Sequence, residues 1–123
     1  MKRLIFAGLI AVFLAASIMY GSDYVDATTR DILGHFSKVE QAVEKEDFES
    51  AKKIITQAEN KWIVYEKKLT LFVNHNEICT IGEGIAAMKP FIENKEKAEF
   101  YSELNKTRVI LMHLANMEKV GKE

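Results

Sequence analysis

The chain has 123 residues, of which 17 are Lys or Arg and 18 are Asp or Glu, so its formal net charge is −1. This near balance, without a basic stripe interleaved with aromatic residues, gives no indication of nucleic-acid binding. The single cysteine, Cys79, excludes an internal disulfide, so packing alone must hold the fold together.

The N-terminal segment is basic at its start and apolar afterwards. Lys2 and Arg3 precede a run from Leu4 to Met19 that carries no charged residue. Such a segment is typical of a retained membrane anchor or of a cleaved signal peptide. A buried core helix is a third interpretation, which we disfavour because the run has no polar stripe.

This segment sets the expected domain organisation and location. We expect residues 1–21 to be a signal anchor or signal peptide that contacts the membrane through residues 4–20, and residues 22–123 to form a helical body. The small residues Ala15-Ala16-Ser17 offer a signal-peptidase site. Because the basic residues come first, we expect a single pass through the cell membrane with the body on the extracytoplasmic side, or a secreted body after cleavage.

The first half of the body carries two amphipathic helix patterns. Gly21-Ser22-Asp23 predicts a break before the first, and the charged stretch 44–47 predicts a turn before the second, with Asp47 as the cap of that helix. In the second stripe, apolar residues recur at alternating intervals of three and four residues, without interruption up to Phe72. The two stripes contain Ile32, Phe36, Val39 and Val43, and then Phe48, Ala51, Ile55, Ala58, Trp62, Tyr65, Leu69 and Phe72.

The second half carries two further helix patterns after a break in phase within residues 73–76. Asn74 is suited to start the third helix, and Pro90 predicts that it kinks or ends near Lys89. A polar turn at residues 94–96 precedes the last helix. These two stripes contain Ile78, Ile81, Ile85, Met88 and Ile92, and then Phe100, Leu104, Leu111 and Leu114.

The expected fold class is therefore all-α, with an antiparallel four-helix bundle that follows an N-terminal membrane helix. No stretch alternates apolar and polar residues as a strand would. Trp62 and Tyr65 lie on the apolar stripe, so we assign them to the core rather than to a ligand site. The predicted core contains Phe36, Phe48, Trp62, Phe72, Ile85 and Leu111.

One group of residues has the chemistry of metal ligands. His75 and Cys79 are four residues apart, so they share a helix face, and His113 lies beside the stripe of the last helix. A structural zinc site needs about four convergent ligands. We therefore expect His75 to satisfy polar groups at a helix start, and we predict no metal and no cofactor. With neither a phosphate-binding glycine loop nor a nucleophile elbow, we predict that the chain is not an enzyme.

The stretch from Trp62 to Ile85 resembles a known family. Its residues include Leu71-Phe72-Val73-Asn74-His75, then Glu77-Ile78, Ile81 and Ile85. They are similar to those of domain of unknown function 4363, found in small Gram-positive bacterial proteins, and the resemblance covers roughly residues 23–117. Cys79 stands where that family suggests an acidic residue, which weakens a metal or thiol role. The resemblance implies an envelope location and an all-helical fold, but no activity.

Two hypotheses for the function follow from the sequence. The first is a non-enzymatic, membrane-tethered helical bundle with an interaction or structural role, which contacts another envelope protein. The alternative is an extracytoplasmic bundle that binds a small ligand or a metal ion.

Overall fold

The computed structural model describes the backbone of residues 2–122 and the side chains of residues 2–16 and 23–115. This described part is all-α and contains no strand. Its helices are α1 (Lys2–Glu44), α2 (Phe48–Leu69), α3 (His75–Glu93) and α4 (Lys97–Lys122).

α1 runs without interruption through the predicted boundary between segment and body. It has 43 residues, so it is about 65 Å long at 1.5 Å per residue. The predicted break at Gly21-Ser22-Asp23 is absent, because a glycine inside a helix costs only about 1 kcal/mol and helical sequence continues on both sides. Over the residues that the structure describes, no helix combines the length and apolar character that crossing a membrane requires. The prediction of a four-helix bundle that follows a separate N-terminal membrane helix is therefore wrong.

The helix starts that the sequence placed at polar caps are confirmed for α2 and α3. The Asp47 carboxylate accepts a hydrogen bond from the Ser50 backbone N–H at 3.2 Å. The Asn74 side-chain oxygen accepts one from the Asn76 N–H at 2.8 Å. Each cap satisfies one of the backbone donors that a helix start leaves unpaired.

The turns after α1 and α3 have the same geometry. Glu46 has a φ of 60° and Lys95 a φ of 57°, both in the left-handed region that usually favours glycine. In each turn a backbone N–H reaches back five residues to a carbonyl, which is the pattern of a Schellman motif. These bonds join Asp47 N to Ala42 O and Glu96 N to Phe91 O, both at 2.8 Å.

The helices pack in an up-down-up-down arrangement in which α1 and α3 each contact both α2 and α4. Phe36, Trp62, Ile85 and Leu111 of the predicted core are buried in it. Phe48 is only half-buried. Phe72 is 38% exposed, so the prediction that it lies in the core is wrong. α2 ends at Leu69, earlier than the stripe suggested, and Phe72 lies in the turn that follows.

α3 differs from its prediction at the C-terminal end. The helix continues through Pro90 to Glu93, so the predicted end near Lys89 is wrong. Pro90 lacks an N–H, but its carbonyl still accepts a bond from Asn94 N at 2.9 Å, which completes the last turn. Gly84 is buried against Thr107 of α4, where a Cβ atom would lie 3.0 Å from the Thr107 Cβ.

Candidate functional site

The exposed large hydrophobic side chains are concentrated at one end of the molecule. In residues 2–16 of α1 every described side chain is exposed, and the large apolar ones are between 47% and 79% exposed. The other exposed large hydrophobics lie in the second half of α2, the α2–α3 turn and the second half of α4. They are Ile63, Val64, Leu71, Phe72, Val109 and Met112. Since neighbouring helices are antiparallel, these positions lie at the end of the bundle from which α1 projects. We call them, with residues 2–16, the apolar end.

The opposite end, which contains the α1–α2 and α3–α4 turns, is charged. Glu46 and Lys97 form an ion pair of 2.8 Å between the two turns. Lys52 and Glu93 form another of 3.2 Å between α2 and α3. Among the described residues, no large hydrophobic side chain is exposed at this end. The molecule therefore has an apolar end and a charged end, separated along the bundle axis.

A half-buried polar cluster joins α1 to α2. The Tyr65 hydroxyl donates a short hydrogen bond to the Asp31 carboxylate, and Lys61 Nζ lies 3.2 Å from the same oxygen. His35 Nδ1 lies 2.8 Å from the Asp31 backbone oxygen. The sequence did not identify this cluster, because Tyr65 fits the apolar stripe and its partner lies 34 residues away.

The pKa values of Asp31 and Tyr65 do not suit these groups to proton transfer near neutral pH. Burial raises the pKa of Asp31, but the hydrogen bonds from Tyr65 and Lys61 outweigh it and bring the pKa below its ordinary value. The bond to Asp31, together with burial, raises the pKa of Tyr65 to about 12. Near neutral pH the carboxylate is therefore charged and the phenol is protonated, and neither is poised as a general acid or base. The cluster stabilises the contact between α1 and α2.

The structure brings two of the three predicted metal-ligand candidates together. His75 Nε2 and Cys79 Sγ are 3.3 Å apart on one exposed face of α3. His113 lines a cavity of about 370 Å³ between α3 and α4, together with Glu77. Within the described part of the chain, no three His, Cys, Asp or Glu residues are placed to hold one metal ion. His75 is the first residue of α3, next to the Asn74 cap, so its position is that of the predicted helix start.

A second cavity of about 360 Å³ lies between α2 and α3. Trp62 is only 2% exposed, and its indole Nε1–H has no hydrogen-bond partner among the residues that the structure describes. A buried donor without a partner costs about 1–3 kcal/mol. A Cβ atom at Gly82 would lie 3.2 Å from this nitrogen, so the indole ring packs closely against the glycine and fills the space of the missing side chain. The cavity is lined by Glu59, Trp62, Ile63, Glu66, Cys79, Gly82, Glu83, Ile85 and Ala86.

Comparison with known proteins identifies one family. The family described as Domain of unknown function (DUF4363) matches residues 19–122, which is most of the chain. The match begins inside α1, so it includes the whole bundle and excludes most of the apolar N-terminal residues. No curated protein and no solved structure matches the chain.

Proposed function

The chain belongs to the family of domain of unknown function 4363, and from that premise we propose that it is a non-enzymatic interaction protein which attaches to a membrane by its apolar end. The observation that carries this proposal is the exposed apolar segment of α1. Its side chains include Leu4 at 79%, Leu9 at 63% and Phe13 at 72% exposed. Soluble proteins rarely leave an apolar patch of this kind uncovered.

The distribution of these side chains around the helix favours lipid as the partner that buries them. A groove on another protein covers one face of a helix, but this segment is apolar on all its faces. Lipid surrounds a helix, and each buried Å² of apolar surface contributes about 25 cal/mol. Lys2 and Arg3 at its start add attraction to anionic headgroups. The attachment proposed here is contact with lipid along the segment and needs no crossing of the bilayer.

The remaining hydrophobics of the apolar end support a protein partner close to the membrane. Val64 is 63% exposed on α2, Leu71 is 77% exposed in the turn, and Val109 is 65% exposed on α4. These residues are brought to the membrane surface when the α1 segment is attached. We propose that they contact another protein of the cell envelope. Crosslinking in the native membrane with a photoreactive residue at Leu71, compared with one at exposed Glu99, tests this contact by mass spectrometry. Equal crosslinking from both positions would contradict it.

A flotation assay tests the attachment directly. The full chain is mixed with vesicles of phosphatidylcholine and phosphatidylglycerol, and bound protein floats with the lipid. Leu9→Asp should reduce binding strongly, because an aspartate in an apolar segment costs about 3 kcal/mol. Ala98→Asp adds the same charge at an exposed position of the charged end and should leave binding unchanged. If both variants float like the unmodified chain, the apolar segment is not the attachment site.

The location of the body is a separate proposal. A basic start followed by an apolar segment is typical of sequences that direct export, so we propose that the body lies outside the cytoplasm. Protease added to intact protoplasts should then digest the body. Digestion only after lysis would contradict this location. Mass analysis of the mature N-terminus distinguishes a retained segment from cleavage at Ala15-Ala16-Ser17, of which Ser17 lies outside the described side chains.

A further inference from the structure

The His75 and Cys79 side chains form a pair of ligand atoms on an exposed face of α3. Nε2 of His75 and Sγ of Cys79 are 3.3 Å apart, and both residues are exposed. A zinc ion at its usual distances, about 2.0 Å from the nitrogen and about 2.3 Å from the sulfur, would bind both atoms at an angle of about 100°, close to the tetrahedral value. The pair therefore has the spacing of two zinc ligands.

One chain supplies only half of such a site. Structural zinc sites bind four protein ligands, and two Cys with two His are one of the common sets. Among the His, Cys, Asp and Glu residues that the structure describes, no group of three is placed to bind one ion. The prediction of no metal rests on this count within a single chain. A second copy of the chain supplies the two missing ligands.

Two copies can meet at this pair with the symmetry that is usual for homodimers. In a two-fold dimer, a residue close to the axis contacts the same residue of the other copy. His75 is the first residue of α3 and follows the turn at the apolar end, so copies attached to one membrane hold their pairs at the same height. Ile63 lines the groove next to Cys79 and is 48% exposed, so contact between copies would also bury apolar surface.

We propose that His75 and Cys79 of two copies bind one zinc ion and join the copies as a dimer. The ion has two imidazole and two thiolate ligands, and each thiol releases its proton to the solvent when it binds. The common height of the pairs rests on the proposed membrane attachment, but zinc binding itself needs no lipid. Zinc binding measured in detergent and the flotation assay therefore fail or succeed separately.

Cobalt is the spectroscopic probe, because it takes the place of zinc and absorbs strongly when it has tetrahedral thiolate ligands. Cys79 is the only cysteine, so the thiolate bands report on this residue alone. The full chain in detergent, kept reduced, is titrated with Co²⁺ and then with Zn²⁺. The cobalt bands should saturate at one ion per two chains and disappear when zinc displaces the cobalt. Half-saturation with zinc should lie below about 1 μM.

The mass of the protein in the detergent particle tests the dimer. Zinc should double this mass in light scattering, and a chelator should return it to that of a single chain. Cys79→Ser and His75→Ala should each abolish the zinc-dependent doubling and weaken zinc binding, measured by equilibrium dialysis, at least about tenfold.

His113→Ala is the matched control. It removes another exposed histidine, which lies on α4 outside the pair, and it should bind zinc and dimerise as the unmodified chain does. All three substituted positions are exposed, so the variants keep the core intact. Saturation at one ion per chain, zinc binding without a change in mass, no binding at micromolar zinc, or full binding by either ligand variant would each overturn the proposal.

Discussion

Replacing Gly84 by alanine tests the contact between α3 and α4. A Cβ atom at Gly84 would lie 3.0 Å from both Cβ and Cγ2 of Thr107, and closer still to its hydroxyl oxygen. Thr107 is 1% exposed and branched at Cβ, so rotation about χ1 exchanges one clashing branch for another. The two helices must therefore move apart to admit the methyl group.

The magnitude follows from two opposing contributions. Overpacking of a tight core position costs about 1–3 kcal/mol. Alanine returns about 1 kcal/mol, because it is a better helix former than glycine. Since rotation of Thr107 does not relieve the contact, the cost of overpacking lies in the upper part of its range. We expect Gly84→Ala to lower the free energy of unfolding by about 1–2 kcal/mol net.

Gly34 is the matched control for this substitution. It lies in α1, and a Cβ atom there would have no described atom of another helix within 4 Å. Gly34→Ala should therefore raise the free energy of unfolding by up to about 1 kcal/mol. Denaturant unfolding of both variants measures the difference. Thr107→Ala, alone and combined with Gly84→Ala, completes a double-mutant cycle that should show positive coupling between the two positions. If Gly84→Ala stabilises the protein as much as Gly34→Ala does, the close contact between Gly84 and Thr107 is not present.

Four further predictions concern the core, the polar cluster and a turn. Trp62→Ala should cost about 3–5 kcal/mol of an unfolding free energy of about 5–15 kcal/mol, and unchanged thermal melting would show that Trp62 is not buried. The pKa of Tyr65 is raised from 10.0 to about 12, so the stabilisation that its hydroxyl gives is complete below pH 10 and is lost as the pH rises toward 12. This loss of stability at high pH should be absent from the melting temperatures of Tyr65→Phe. The pKa of Asp31 is lowered, so the stabilisation that its carboxylate gives is complete above the ordinary pKa of 3.8 and is lost as the pH falls further. This pH dependence should be absent in Asp31→Asn. Lys95→Gly should raise the melting temperature, because glycine avoids a cost of about 1–2 kcal/mol at the left-handed φ, and an unchanged or lower value would contradict that turn geometry.

The sequence predicted those elements that depend on local pattern. The apolar stripes identified the helices of the body, and Asp47 and Asn74 identified the starts of α2 and α3. Helix ends were less well predicted. α2 ends at Leu69 although its stripe continues to Phe72, since periodicity cannot show where packing stops. α3 passes Pro90, because a proline near the last turn removes only one donor.

Features that depend on contacts between helices were not predictable from one sequence. Glycine is a poor helix former, so the sequence indicates only a weak helix position at Gly84. The structure shows that the missing side chain leaves space for Thr107. Asp31 looks like one of many surface carboxylates until Tyr65 is placed beside it. The continuity of α1 was missed for a different reason, since Gly21-Ser22-Asp23 has the residues of a break and the cost of keeping it helical is small.

That continuity gives the body a fixed rotational phase relative to the apolar segment. Each residue of an α-helix turns the chain by about 100° and advances it by about 1.5 Å. One residue inserted between the apolar segment and Val25 would therefore rotate the whole bundle by about 100° about the axis of α1 and turn the helices α2, α3 and α4 to another side. An insertion of seven residues, close to two full turns, would nearly restore the original side while moving the bundle about 10 Å outward. A partner that binds one side of the bundle would respond differently to the two insertions. A partner held by a flexible tether would respond to both in the same way.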